Sequence, residues 1–188
     1  MDNKLIGILK DGGIAVIPTD TIYGIVGSAL NERTVKKIYL LRKRAPDKPF
    51  IILISSLNDL NQFNIKLSEK QKIFLEKNWP NPLSVILLVK GEKWKYLHRG
   101  TDSLGFRMPK DDGLHDLLKR VGPLVAPSAN PEREKPAKNV EEARKYFGDE
   151  VDFYVDGGVI KSKPSTLIQI KIDGSWQILR QGSYKISS

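Results

Sequence analysis

The 188-residue chain has no cysteine and only two histidines, His98 and His115. Without thiols there is no disulfide framework and no thiolate zinc centre, and the two histidines stand at no ligand spacing. A transition metal held by protein side chains is not expected. Long apolar runs are missing as well. The opening Met1-Asp2-Asn3-Lys4-Leu5-Ile6-Gly7-Ile8-Leu9-Lys10 is broken by charge too early for a signal peptide or a membrane span, so a cytoplasmic location is the expectation. Internal repeats, low-complexity tracts and long flexible linkers are absent. So is a Gly-x-x-x-x-Gly-Lys-Ser/Thr phosphate loop, which leaves Gly12-Gly13 as a helix stop. Negative charge is the scarcer sign: Asp plus Glu number 22 against 31 Lys plus Arg, giving +9. That excess favours anionic partners such as nucleotides or RNA. By itself it neither chooses between them nor excludes a functionally silent basic surface.

What is present suits one soluble globular domain, residues 1–188, in length and in its balance of apolar and charged residues. Leu5, Ile8 and Leu9 have helical spacing, and Ile14-Ala15-Val16-Ile17 reads as a buried strand ended by Pro18. Asn31 caps a second helix that carries Val35, Ile38 and Leu41 and ends in Arg42-Lys43-Arg44. Residues 50–54 form a buried strand, and Ser68 with Gln71 matches a capping box for a helix through about Asn78. Strands follow at 83–89 and 104–108, a helical stripe at Leu114, Leu117, Leu118 and Val121, a strand at Leu124-Val125-Ala126, and a helix after Asn139. Residues 166–172 and 175–179 flank Asp173-Gly174, a two-residue type I′ hairpin signal that demands antiparallel pairing. The fold class is therefore α/β with a mixed sheet, and residues 131–138 are its most loop-like stretch.

Several segments can carry chemistry. Pro18-Thr19-Asp20-Thr21-Ile22-Tyr23-Gly24 follows directly on a buried strand, where open α/β sheets present ligand-binding loops, although the same residue types also make a plain turn. Arg42 and Lys43 suit the end of the second helix and a solvated face. Arg44 and Lys48 lie in the loop, where a guanidinium fork and an ammonium can grip phosphate oxygens, each charge-assisted bond contributing about 1.5–3 kcal/mol. Arg107, inside the apolar stretch 103–109, needs an anionic ligand, an ion pair or an exit to solvent. Pro127-Ser128-Ala129-Asn130 offers a hydroxyl and an amide at another strand-to-loop junction, or again a turn.

In order and spacing these segments, together with Ser165-Thr166 and Arg180-Gln181-Gly182, resemble the YrdC/Sua5 family of L-threonylcarbamoyladenylate synthases over about residues 10 to 182. Asn78-Trp79-Pro80-Asn81-Pro82-Leu83-Ser84-Val85 is similar to that family's Trp-Pro-Gly-Pro segment, with Asn81 in place of the usual glycine. The resemblance implies an open twisted mixed β-sheet with flanking helices and a basic concave cavity. It also implies a nucleotidyl transfer joining L-threonine, bicarbonate and ATP into threonylcarbamoyl-AMP with release of pyrophosphate, for N6-threonylcarbamoyladenosine modification of tRNA. By position, Thr21, Arg107, Ser128 and Ser165 would hold threonine. Arg44, Lys48, Ser103, Asn130, Lys138 and Arg180 would face ATP, with Arg44 and Lys48 the candidate catalytic pair. Magnesium would arrive with the ATP, not at a fixed protein site, and a t6A transferase complex with its tRNA would be the downstream partner.

The chain departs from the family's pattern at three further places. Pro131-Glu132-Arg133-Glu134 follows Asn130 where many members carry a Ser-Gly pair, Leu53 stands where histidine is common, and Gln169 where aspartate is frequent. Because the chain ends soon after Gly182, the single-domain YrdC type is the expectation. The rival from another class is a noncatalytic protein binding double-stranded RNA or tRNA through the same basic concavity, with Trp94, Tyr96 and Arg99 as a possible contact patch if those aromatics do not simply pack at a sheet edge.

Overall fold

The computed structural model of the chain describes residues 2–45, 47–89 and 91–186. Its elements begin where the sequence supplies caps. Asp2 accepts a hydrogen bond from Lys4 N at 2.8 Å at the head of α1 (Asn3–Lys10), and Gly12, at φ +83°, turns the chain out of that helix. Leu5, Ile6 and Leu9 bury one side of α1, and β1 (Ala15–Ile17) follows. The chain then returns through β2 (Gly24–Ser28), antiparallel to β1 with Ile17 opposite Gly24. The sequence reading contains no strand here, because Gly24 and Gly27 interrupt the apolar run. Gly27 answers a packing demand: a Cβ there would overlap the Thr34 methyl of α2 (Glu32–Leu41).

Asn31 caps α2 as expected, its Oδ1 accepting from Thr34 N at 3.2 Å. Ser68 and Gln71 form the reciprocal capping box of α3 (Glu69–Asn78). The other α-helices and strands among the described residues are β3 (Ile51–Leu53), β4 (Leu83–Leu88), a single turn α4 (Lys95–His98), β5 (Ser103–Arg107), α5 (Asp112–Val121), β6 (Leu124–Val125), α6 (Val140–Phe147), β7 (Phe153–Tyr154), β8 (Thr166–Ile170) and β9 (Trp176–Arg180). Among the described residues the strands make one nine-stranded sheet in the order β7-β1-β2-β6-β3-β5-β4-β8-β9. It is mixed, as the sequence implies: β1/β7, β3/β5 and β4/β8 run parallel and the other neighbours antiparallel.

Successive residues of the central strands enter opposite cores. Val16, Ile25, Ile52 and Val125 join Tyr23, Phe63 and Phe106 on one face. Ala15, Ile17, Val26, Leu53 and Leu124 join Leu9 of α1 and Leu114, Leu117 and Leu118 of α5 on the other. With both faces covered, these strands read as continuous apolar runs. Trp94 is buried in the first core and Tyr96 packs against it, donating its hydroxyl to Ala29 O at 2.9 Å. Those aromatics pack, and do not form an exposed stacking patch.

The β8–β9 hairpin differs from the two-residue turn expected at Asp173-Gly174. Lys171 N donates to Ser175 O at 2.8 Å and Gly174 N to Lys171 O at 3.0 Å, so Ile172-Asp173-Gly174 make a three-residue loop. Of the three only Gly174 takes a positive φ, +84°, while Asp173 accepts from both Ser175 N and Ser175 Oγ. Past β9 the chain is strapped back onto the start of β8. Thr166 Oγ1 accepts from Gly182 N at 3.0 Å and donates to Tyr184 O at 2.6 Å. Gly182 lies so close to the backbone of Pro164 and Ser165 that a Cβ would overlap both. The replacement Gly182→Ala is therefore expected to destabilise the fold by about 1–3 kcal/mol through overpacking, read as a lowered melting temperature. Gly7→Ala, in α1 with nothing within 4 Å of the new Cβ, should leave the melting temperature unchanged or raise it.

Candidate functional site

The connection from β1 to β2 is shaped by its own polar groups. Thr19 Oγ1 accepts from Thr21 N at 3.2 Å and Ile22 N at 3.3 Å, and donates to Ile22 O at 2.7 Å. Behind it Tyr23, fully buried, donates to Gly158 O at 2.9 Å and accepts from Gly157 N at 2.8 Å. Burial pushes the Tyr23 phenol above its ordinary pKa, so it stays a neutral donor. The loop thus braced carries Thr21, 1% exposed, and Asp20 toward the end of β5.

There Arg107 is 5% exposed, its Nη2 3.1 Å from Asp20 Oδ1 and 3.5 Å from Thr19 Oγ1. The charge is met by a carboxylate of the chain itself, and both side chains of the pair are almost fully buried. Arg107 Nε, also buried, has no protein partner. Burial lowers the Arg107 pKa, Asp20 opposes the shift, and the nearby Arg180 cation adds to it. Arg180, at the end of β9, donates Nη2 to Ser165 O at 2.9 Å and approaches Ser165 Oγ at 3.4 Å. Ser165 Oγ in turn shares a hydrogen bond of 2.8 Å with Ser84 Oγ.

A second cationic group corrects the reading of the helix end. Arg42 does not spread over a solvated face: it is 3% exposed, and its Nε donates to Asn130 O at 2.9 Å while Nη2 reaches Ser128 Oγ at 3.1 Å and Asn130 Oδ1 at 3.4 Å. Burial, and then the neighbouring Arg44 charge, pull its pKa down to about 10, which still leaves it a cation at neutral pH. Arg44 Nη1 and Lys48 Nζ lie 3.7 and 3.0 Å from Glu132 Oε1, and Arg44 Nε is buried without a partner. Asn130 donates Nδ2 to Pro131 O and Glu134 O, each at 2.8 Å, so its amide anchors the following loop.

Both groups border one cavity of about 280 Å³. Arg42, Arg44, Arg107 and Arg180 line it with the hydroxyls of Thr21, Ser128 and Ser165, and none of the described lining residues is Asp or Glu. Four other expected site residues lie outside its wall. Asn130 stands behind Arg42, and Lys48 is paired to Glu132. Ser103 shares the face of β5 with Arg107 but sits four residues away, roughly 13 Å along the strand. Lys138 is exposed, its backbone N donating to Glu142 Oε2 at 2.9 Å. Leu53 is fully buried in the second core, and Gln169 accepts from Gln177 Nε2. No group of three or more His, Cys, Asp or Glu able to hold a metal occurs among the described residues, and a wall of guanidinium groups and hydroxyls does not fit a protein-held cation.

With this geometry in hand, comparison with known proteins is direct. The Sua5/YciO/YrdC family model, carrying the description "Telomere recombination", matches residues 7–182. The chain belongs to this family. Among its relatives a threonylcarbamoyl-AMP synthase of Hahella chejuensis is 29% identical over 180 residues, covering 95% of this chain and 96% of that protein. The structure of Pyrococcus abyssi Sua5 complexed with L-threonine matches at a TM-score of 0.86 and 27% identity, covering 95% of this chain and 53% of Sua5, so the chain spans about half of that protein. Escherichia coli YciO shares the fold at a TM-score of 0.83 and 23% identity over 96% of this chain and 88% of its own.

Within this Sua5/YciO/YrdC chain, sequence reasoning missed Arg42 as a cavity residue, Asp20 as the counter-ion of Arg107, and Glu132 as the partner of Arg44 and Lys48. The contacts that define Arg42 join residues 86 and 88 positions apart, which no local pattern announces. The signal that was available for Asp20 is its place in the loop motif beside Thr19 and Thr21. Asp20→Ala should cost about 3–5 kcal/mol of stability, because it leaves the buried Arg107 charge uncompensated. Asn130→Ala, which removes both loop anchors, should cost about 1–3 kcal/mol. Chemical denaturation of the two variants would rank them; a cost near zero for Asp20→Ala would mean that Arg107 finds another acceptor.

Proposed function

We propose that the chain joins L-threonine, bicarbonate and ATP into threonylcarbamoyl-AMP with release of pyrophosphate, a nucleotidyl transfer serving threonylcarbamoyl modification of tRNA. The observation that carries this reading is the presence of two pairs of mutually repelling guanidinium groups on one cavity. The Arg180 charge adds to the burial that lowers the proton affinity of Arg107 on one side, and the Arg44 charge does the same to Arg42 on the other. An anion placed at either pair relieves both burial and repulsion, and the buried donors Arg107 Nε and Arg44 Nε supply unused hydrogen bonds. An amino-acid carboxylate fits the Arg107 side, where Thr21 and Ser165 add hydroxyls. The phosphates of ATP fit the Arg42–Arg44 side, with Lys48 beyond. Family membership and relatives named for this product support the same reading.

The adenylation step asks little of proton transfer. Threonine's free amine forms the N–C bond of a carbamate, releasing a proton to solvent when it captures carbon dioxide or water when it captures bicarbonate, and a carbamate oxygen attacks the α-phosphorus of ATP. The bond from that phosphorus to the bridging oxygen of pyrophosphate breaks. The nucleophile is already anionic, so positioning and neutralisation of charge on the phosphate oxygens carry the catalysis. Magnesium belongs, in this reading, to the nucleotide substrate. A cavity of about 280 Å³ also suits small molecules better than it suits a nucleic-acid duplex.

Pure protein incubated with ATP, magnesium, bicarbonate and threonine should release pyrophosphate and a labile adenylate. RNA binding that weakens with salt, with no such product, would favour the noncatalytic alternative. Serine should replace threonine at a modest loss of about 1–3 kcal/mol in specificity, the value of one methyl in a fitted pocket. 2-Aminobutyrate should lose more, because the site hydroxyls are left without the substrate's own. Equal specificity constants for the three amino acids would refute the threonine assignment.

A further inference from the structure

Glu132 stands in the Pro131-Glu132-Arg133-Glu134 loop that follows Asn130. Its carboxylate reaches across to the connection that follows α2. Oε1 lies 3.0 Å from Lys48 Nζ and 3.7 Å from Arg44 Nη1, and Oε2 accepts from Ala45 N at 2.7 Å. An ammonium, a guanidinium and a backbone N–H converging on one anionic group are the donor set that grips a phosphate. The contact with Lys48, then that with Ala45 N, holds the Glu132 carboxyl below its ordinary pKa, so it remains charged near neutrality.

The loop does not depend on this side chain for its shape. Asn130 Nδ2 holds Pro131 O and Glu134 O, and Glu132 N donates to Arg42 O at 2.6 Å. Only the side chain, 21% exposed, spans to the cations.

We infer that Glu132 is a built-in counter-anion that occupies the phosphate subsite formed by Arg44, Lys48 and the Ala45 amide, and that an incoming nucleotide must displace it. The inference rests on the proposed function, in which Arg44 and Lys48 receive phosphates of ATP. Every ligand that fills the subsite bears the same cost of displacing the carboxylate, and a triphosphate has the anionic oxygens to offset it. Glu132 therefore lowers the affinity for any phosphate that must enter this subsite, and its return to the cations after pyrophosphate leaves opposes rebinding of pyrophosphate.

Glu132→Gln tests this directly, since it removes the charge and keeps an oxygen acceptor for Ala45 N; Glu132→Ala removes both. Binding of ATP and of AMP to the full chain by calorimetry, with melting temperatures alongside, gives the readout. In Glu132→Gln, ATP should bind about tenfold more tightly, the loss of one competing charge, and AMP, with a single phosphate, should gain by no more than that factor. Glu132→Ala should show the same tightening even if its melting temperature falls. Unchanged or weaker ATP binding in both variants, with Arg44→Ala still weakening ATP, overturns the counter-anion and leaves the proposed function standing. If Arg44→Ala and Lys48→Ala leave ATP affinity intact, the phosphate assignment and the counter-anion fail together.

Discussion

Guanidinium groups removed from water must be given acceptors, and this requirement organises the site and much of the chain around it. A buried charge without partners would cost several kcal/mol, so every arginine on the cavity is met. Arg107 is met by Asp20, Arg42 by the carbonyl and amide oxygens of Asn130 and the hydroxyl of Ser128, Arg180 by Ser165, and Arg44 by Glu132. Each acceptor sits on a loop, and each loop is fixed by contacts elsewhere. What the protein leaves unmet, Arg107 Nε and Arg44 Nε, marks where an anionic ligand completes the arrangement.

The sheet makes that arrangement rigid. Its central strands are covered on both faces, so the loops at their ends start from positions that cannot drift. Thr19 closes the β1–β2 connection on itself, Tyr23 pins the 156–158 loop behind it, and Thr166 ties the segment after β9 to the start of β8. These neutral hydrogen bonds set the distances between cations that would otherwise move apart. Positioning of this kind is what a reaction between two bound anions needs, since the barrier lies in bringing like charges together.

The loop after Asn130 adds a further feature. A glutamate side chain satisfies at rest the cations that a nucleotide is proposed to use, while Asn130 and the backbone keep the loop closed independently of it. Loop stability and the proposed competition with phosphate are thereby assigned to different groups of one short segment.

The helices and most strands were legible in the sequence because their signals are local: Asn31 and the Ser68–Gln71 box cap their helices, and the apolar runs at 14–17, 50–54, 83–89 and 124–126 mark strands of the sheet's interior. The strand Gly24–Ser28 was not, since two glycines interrupt its apolar run and Gly27 answers to Thr34 of a later helix. The turn at Asp173-Gly174 was located but its loop length was not, because hydrogen bonding by Lys171 and Ser175 decided it. At the site, the motifs carrying Thr21, Arg107, Ser128, Ser165 and Arg180 could be read in order, and all five residues line the one cavity. That Arg42 turns inward to Asn130, that Asp20 neutralises Arg107 and that Glu132 covers Arg44 and Lys48 was decided only in three dimensions. A charged residue's local sequence states that it needs a partner; which partner it meets depends on loops brought together from distant parts of the chain.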